Sequence, residues 1–158
     1  MRQTEPSSGE GGPGEDQEPE YVRMVCLRTT FRPVPVVSAR WLDPYRDYEL
    51  ARAMWASFME LSREEWLGFW EQGYDYCGIV DKGLLVARAA IWRYSDGAWE
   101  LASVGTMPEY RRRGLATEVC SLATSRIVTA DRLATCNTRM DNIPMQRTAA
   151  AIGFALEA

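Results

Sequence analysis

The sequence predicts an α/β fold, a mixed and mostly antiparallel sheet flanked by helices. Three observations carry that expectation. Hydrophobic residues make up 46% of the 158-residue chain, enough for one substantial core. Three apolar runs are joined by Asp81-Lys82-Gly83 and Ser95-Asp96-Gly97, which have the chemistry of hairpin turns. Helical spacing of apolar residues flanks this meander on both sides, and one further strand lies between the last two helices.

In chain order, Met1 to Glu20 ends in SSGEGGPGEDQEPE and offers no apolar face, so it is expected to be a disordered acidic tail. Residues 21–158 are expected to form a single domain. Tyr21 to Thr30 is a short apolar-rich stretch, an added strand. Val34 to Trp41 is the first firm strand, with Pro33 and Pro35 placing its start at a sheet edge or just outside it. Asp43-Pro44 opens a helix in which Leu50, Met54, Phe58 and Leu61 recur at helical spacing, beside Ala51 and Trp55. Ser62, ahead of Glu64 and Glu65, opens a second helix through Trp66, Phe69 and Trp70, and Gly73 ends it. The meander strands are Tyr76 to Val80, Leu84 to Tyr94 and Trp99 to Thr106. After Pro108 a helix runs from about Arg113 to Thr129. A strand from Ala134 to Thr138, a helix from Asn142 to Ile152 and the break at Gly153-Phe154 complete the order.

Composition excludes several functions. There is no apolar run of the roughly 18 residues that a membrane span requires. The first residues lack the basic start and apolar stretch of a signal peptide, so a cytoplasmic location is expected. Cys26, Cys77, Cys120 and Cys136 form no CxxC pair, and the chain has no histidine. Reduced, buried thiols and no metal site are expected. Without histidine, Ser-His-Asp and Cys-His catalysis are unavailable. The net charge of −4 resides in the tail, where six acids face Arg2 alone; that segment carries −5 and the remainder +1. A near-neutral body argues against nucleic-acid binding.

The chemistry concentrates between Glu100 and Ala116, where a strand feeds a short loop and then a helix start rich in small and basic residues. A helix N-terminus presents unpaired N–H groups and partial positive charge. Gly114 and Ala116 leave the backbone approachable, and Arg111, Arg112 and Arg113 add forked donors, an arrangement able to hold a diphosphate. The same residues also fit an ordinary surface helix with a basic first turn. Arginines there oppose the helix dipole, which favours the anion site.

Arg111-Arg-Arg-Gly114-Leu-Ala116 resembles the R/Q-x-x-G-x-G/A motif of the GNAT superfamily of N-acetyltransferases. Val104-Gly-Thr106-Met-Pro108 resembles the strand end before that motif, and Asp141-Asn142 with Ile152-Gly153-Phe154 resembles the family's N…GF ending. The order of elements agrees from about Val34 to Phe154. The resemblance implies a GNAT-like sheet whose strands Trp99–Thr106 and Ala134–Thr138 splay apart to admit the pantetheine arm of acetyl-CoA, the co-substrate. It implies that Arg111, Arg112, Arg113, Gly114, Leu115, Ala116 and Thr117 hold the pyrophosphate, and that Val104 and Thr106 lie along the pantetheine amides. One N–H of that strand would serve the thioester oxygen. Asn142 matches the residue that helps hold the cofactor arm; it equally fits a helix N-cap and nothing more.

The implied reaction is direct attack of a neutral amine on the thioester in a ternary complex. An alkylamine has a pKa near ~10.4, so deprotonation at pH 7 costs roughly 4–5 kcal/mol and calls for a base. Glu100, eleven residues before Arg111, matches a glutamate base of some superfamily members; the alternative is a solvated strand-end carboxylate. An unbroken strand would put Ala102, Val104 and Thr106 on the Glu100 face, whereas a bulge near Gly105 would re-aim its end. Two departures stand out. The position of the family's acidic tyrosine is Ala149, leaving Tyr110, Tyr76 or water for that role. The chain also stops soon after Gly-Phe, which predicts a shortened C-terminal end, an open sheet edge and a possible homodimer that shares strands. The acceptor, a small-molecule or peptide amine, would lie against the first two helices; most of their Trp55, Phe58, Trp66, Phe69 and Trp70 read as core, and any that line the site would suit an apolar or aromatic amine. A module that binds acyl-CoA without turnover, as sensor or partner-binding subunit, is the competing class.

Overall fold

Lys82 and Gly83 both take positive φ, 50° and 78°, the geometry of a two-residue hairpin turn. They join strands Tyr74–Asp81 and Leu84–Trp92, and the meander continues into Ala98–Thr106. The computed structural model describes residues 18–157, and the tail expected over 1–20 lies outside them except for its last three residues. Those three are exposed, and the Glu20 carbonyl accepts the Met140 N–H at 2.8 Å.

The elements are β1 (Tyr21–Cys26), β2 (Arg40–Trp41), α1 (Tyr48–Trp55), α2 (Arg63–Glu71), β3 (Tyr74–Asp81), β4 (Leu84–Trp92), β5 (Ala98–Thr106), α3 (Leu115–Thr129), β6 (Leu133–Arg139), α4 (Ile143–Ala151) and β7 (Ala155–Leu156). A 3-10 turn at Pro108–Tyr110 leads from β5 towards α3. The described strands form one seven-stranded sheet in the order β2-β3-β4-β5-β6-β1-β7, antiparallel except for the parallel pair β5 and β6. The expected fold class is therefore what forms.

Alternation along the strands gives the sheet two apolar faces. One carries Cys77, Ile79, Ala89, Ile91 and Leu101 under α3 and α4, with Val119, Cys120 and Ala123 packed on them. The other carries Tyr74, Tyr76, Leu85 and Ala90 under α1 and α2, with Trp55 and Trp66 fully buried between. The expected α2 start is present as a reciprocal box. The Ser62 hydroxyl accepts the Glu65 N–H at 3.0 Å, and the Glu65 carboxylate accepts the Ser62 N–H at 3.1 Å. All four cysteines are buried free thiols. Burial pushes Cys77 and Cys136 up to about 12, away from thiolate chemistry.

Three expectations need correction. The helix expected to open at Asp43-Pro44 and to carry Phe58 and Leu61 runs only over Tyr48–Trp55, because the Asp43 carboxylate takes the Tyr45 and Arg46 N–H groups in a separate turn before it. The strand predicted over Val34–Trp41 is reduced to Arg40–Trp41, because the preceding backbone finds its partners on α3. The Val34 N–H donates to the Ser121 hydroxyl at 3.0 Å, and the Ser38 and Ala39 N–H groups both donate to Glu118, at 2.8 and 2.5 Å. Pro33 and Pro35 have no N–H to give a ladder.

The open edge expected beyond Ala134–Thr138 is also absent. β1 pairs antiparallel with β6 along its whole length, from Tyr21↔Arg139 to Cys26↔Ala134. Ala155 and Leu156 then add β7 to the far side of β1. Ile152 and Phe154 are buried in the same cluster as Met24 and Cys26. Gly153 has a φ of +104°, and a Cβ there would run into the Thr30 carbonyl, so glycine is required for the Leu27–Phe31 segment to close over α4. A segment from the beginning of the chain thus covers what the sequence left open at its end, and the argument for a strand-sharing dimer loses its basis.

Candidate active site

The parallel pairing of β5 with β6 is short. Ala98, Trp99 and Glu100 face Leu133, Ala134 and Thr135, and the register ends there. From Leu101 to Thr106, β5 is paired only on its β4 side, leaving N–H and C=O groups towards β6 for a ligand. On the β4 side the register jumps from Ala90↔Ala102 to Arg88↔Gly105, so Ser103 and Val104 bulge opposite Ala89. Ser103 takes a φ of +54° at that bulge. The expected bulge therefore exists, two residues before Gly105. It reverses the alternation: Glu100, Ala102 and Gly105 share the α1/α2 face with their partners Trp92, Ala90 and Arg88, while Thr106 shares the opposite face with Ala87 and Leu101. The unbroken-strand expectation for Val104 and Thr106 is overturned accordingly. Val104 packs against the core under α3.

β5 delivers the chain to α3 through the 3-10 turn and two residues with positive φ, Arg112 at 65° and Gly114 at 78°. Gly114 is the N-cap, and it brings no side-chain cap to α3. The first intrahelical bond runs from the Glu118 N–H to the Gly114 carbonyl at 3.1 Å, so the Leu115, Ala116 and Thr117 N–H groups lie ahead of it. A Cβ built on Gly114 meets nothing within 4 Å, so the approach to these donors is open. Arg111, Arg112 and Arg113 are exposed around it. Arg113 is turned back onto its own loop: its guanidinium donates to the Glu109 carbonyl at 3.1 Å and lies over the Tyr110 ring.

Tyr110 is held elsewhere too. Its hydroxyl donates to Asp81 at the β3–β4 turn at 2.7 Å, and that bond to a carboxylate raises its pKa above the ordinary phenol value. It serves the loop as an anchor. Tyr76 is fully buried among Trp55, Trp66 and Trp70. Ala149, at the position of the family's tyrosine, is fully buried.

Glu100 stands where the cleft closes, the last residue of β5 to face β6. Its carboxylate accepts a short hydrogen bond from the Asn137 amide. Asn142 is exposed and caps α4, its side-chain oxygen accepting the Met145 N–H at 3.1 Å. The cap role is thus present, and its amide NH2 remains the part able to reach a ligand.

Sequence reasoning missed Asn137, Ser103, Tyr94 and Thr135. Once the short parallel register is known, alternation from Thr135 puts Asn137 on the Glu100 face. The register itself left no local signal. On the acceptor side, Trp55, Trp66 and Phe69 are core, as expected of most of the helix aromatics. The aromatic row that leads outwards towards Glu100 comes instead from the sheet. Tyr74 stacks on Trp92 at 5.6 Å, and Trp92 meets Tyr94 at 5.3 Å.

The sheet is thus opened between two parallel strands, with an uncapped helix start at the mouth. The chain belongs to the acetyltransferase (GNAT) family, whose model matches residues 38–154. Similar solved structures include a GNAT-family protein from Novosphingobium aromaticivorans, with 19% identity and a TM-score of 0.71 over 87% of this chain and 59% of that one. An acetyltransferase of the GNAT family from Colwellia psychrerythraea has 15% identity and a TM-score of 0.70, covering 88% of this chain and 53% of that one. A GCN5-related N-acetyltransferase from Kribbella flavida has 22% identity and a TM-score of 0.62, covering 90% and 56%. At these identities the likeness shows the fold. This chain spans between 53% and 59% of those proteins' lengths. No curated protein sequence matches it significantly. No described helix is long and apolar enough to cross a membrane.

Proposed function

We propose that this chain transfers an acetyl group from acetyl-CoA to an amine by direct attack within a ternary complex. The observation that carries this reading is the stretch of β5 beyond Glu100, unpaired towards β6 and leading to the uncapped start of α3. The extended pantetheine arm, with its amides, suits the open edge of β5 from Leu101 to Thr106. Its diphosphate suits the N–H groups from Leu115 to Thr117, with Arg111 and Arg112 at the rim. The bulge at Ser103–Val104 disturbs the ladder just above the closed end, where a freed N–H is suited to receive the thioester oxygen as negative charge develops there.

Glu100 acts as base, directly or through water, on the acceptor side of the same strand. The amine nitrogen gives its proton to this carboxylate and forms a bond to the acetyl carbon. The carbon–sulfur bond then breaks, and CoA leaves as thiolate. Water protonates the sulfur, since Tyr110 is bound to Asp81 and Ala149 has no proton to offer. That missing acid favours the second reading, a module that binds acyl-CoA without turnover. Thiol release from acetyl-CoA in the presence of a panel of amines separates the two. Amine-dependent release supports the transferase, and tight CoA binding with no release from any amine supports the module.

A further inference from the structure

We propose that Arg88 is a positioning residue for acyl transfer, clamping the β5 bulge against Trp55 so that the freed N–H of the bulge stays aimed at the thioester oxygen. This inference rests on the transferase reading above and adds to it the residue that holds the donor in place. The bulge is strained backbone. Ser103 and Val104 stand opposite Ala89 alone, and Ser103 takes a φ of +54°, in the left-handed region that residues with a side chain rarely adopt. Serine has none of glycine's freedom there, so a restraint from outside the strand has to fix the geometry.

Arg88 of β4 supplies that restraint. Its backbone pairs with Gly105, the first residue back in register after the bulge. Its side chain is half-buried and reaches back across the bulge, where Nε donates to the Ser103 hydroxyl at 3.3 Å. The guanidinium rests on the Gly105 backbone. A Cβ at Gly105 would come within 2.8 Å of Nη1 and 3.0 Å of Cζ, so a larger residue would push the group away. The guanidinium carbon also stands 4.3 Å from the centre of the Trp55 ring and 5.3 Å from that of Phe58. Trp55 is fully buried, and its ring meets Trp66 and Tyr76 edge-on, so α1 gives the clamp a fixed support. A guanidinium can lie against a ring and donate in its own plane at once, which an ammonium cannot. Released from Arg88, Ser103 would relax towards an ordinary φ and turn the adjoining peptide. The donor would then leave the place where negative charge develops.

The test compares acetyl-CoA with CoA, which has the same arm and no thioester oxygen. Calorimetry on the full chain gives both affinities, and thiol release with the fastest amine of a panel gives kcat and KM. The wild type should prefer acetyl-CoA by about threefold or more, the contribution of one modest hydrogen bond. Arg88→Met keeps an apolar stem beside Trp55 and removes every donor. It should erase that preference and lower kcat roughly ten- to a hundredfold, with KM for acetyl-CoA changed less than about threefold. Arg88→Lys, which keeps the charge, should behave like Arg88→Met. Rescue separates positioning from mere stabilisation. Ser103→Gly adopts the positive φ unaided, and in the Arg88→Met background it should restore the preference and about a third or more of wild-type kcat. Melting curves establish which variants fold. Should Arg88→Met fail to fold, Ser103→Ala removes the same bond from its other end and should lower kcat about three- to tenfold. Unchanged kcat and preference in folded Arg88→Met, wild-type behaviour of Arg88→Lys, absence of rescue by Ser103→Gly, or an unchanged Ser103→Ala would overturn the proposal. If no amine turns over, the transferase reading falls and the two affinities decide alone. Loss of the acetyl-CoA preference with rescue by glycine would uphold the clamp, and equal wild-type affinities for acetyl-CoA and CoA would overturn it.

Discussion

α3 and α4 begin at the ends of the two strands that part company, and they begin differently. α4 is closed in the ordinary way: the Asn142 side chain accepts the Met145 N–H, and Pro144 stands in the first turn. α3 starts from Gly114, in a left-handed conformation, with no side chain to cap it and open space above it. The first helix is finished by its own sequence; the second leaves its donors to something else. Helix starts left unsatisfied cost stability unless water or a ligand meets their N–H groups. The comparison shows the same local rule applied at one helix start and withheld at the other.

The largest expected effect lies on the strand between these helices. Glu100→Gln keeps the shape and removes the base, so kcat should fall by ~10²–10⁴-fold with CoA affinity intact. The acidic limb of the pH–rate profile should vanish with it. Steady-state kinetics with the best amine checks both, and wild-type kcat would place the base elsewhere. The next effect concerns folding. Met24 is 4% exposed in β1 and packs with Ile152 and Phe154 in the core, so Met24→Ala should cost about 2–5 kcal/mol in urea unfolding. A loss below about 0.5 kcal/mol would mean that β1 is dispensable, as an added strand would be.

Smaller effects sharpen the contrast between the helix starts. Asn142→Ala should cost about 1 kcal/mol through the lost cap, whereas Asn142→Asp keeps the cap. If the Asn142 amide also holds the cofactor arm, Asn142→Asp will weaken CoA binding at unchanged stability; a purely structural Asn142 would leave affinity alone. The smallest effect sits at the start of α1. Asp47 accepts both Arg40 guanidinium N–H groups, at 2.9 and 3.0 Å, and the Asp43 N–H at 2.7 Å. The Arg40 bond, then the Asp43 N–H, outweigh burial and hold the Asp47 carboxyl below its ordinary 3.8. Because the folded value is depressed, its contribution is present above the unfolded value and is lost as pH falls through the folded one. Asp47→Asn should therefore narrow the stability gap between variant and wild type on acidification below about pH 4, measured by thermal melts across pH.

What was legible in the sequence was what local chemistry decides. The Lys82-Gly83 turn, the Ser62 capping box and the Gly114 helix start each depend on a few adjacent residues, and each formed where expected. What was not legible depends on distant partners. Val34 to Ala39 reads as a strand by composition, yet Ser121 and Glu118, far along the chain, take its N–H groups. Tyr21 to Thr30 reads as an added strand, yet its Tyr21–Cys26 part lies inside the sheet, between β6 and β7. The bulge at Ser103 changes which residues share a face with Glu100, and serine does not signal a positive φ. On the acceptor side, Trp55, Trp66 and Phe69 are core, as was expected of most of the helix aromatics, but the residues around Glu100 come from β4 and β6, which no local signal marked.

The central claim is that the uncapped start of α3 holds the diphosphate of acetyl-CoA, and Gly114→Val tests it most directly. The side chain would enter the open space over the first-turn N–H groups, and a β-branched residue at that positive φ adds strain of roughly 1–2 kcal/mol. Calorimetric titration of acetyl-CoA, on protein shown to be folded by its melting curve, should give an affinity at least tenfold weaker than wild type. An unchanged affinity in folded Gly114→Val would contradict the account, because the donors it places at the cofactor would then be serving nothing.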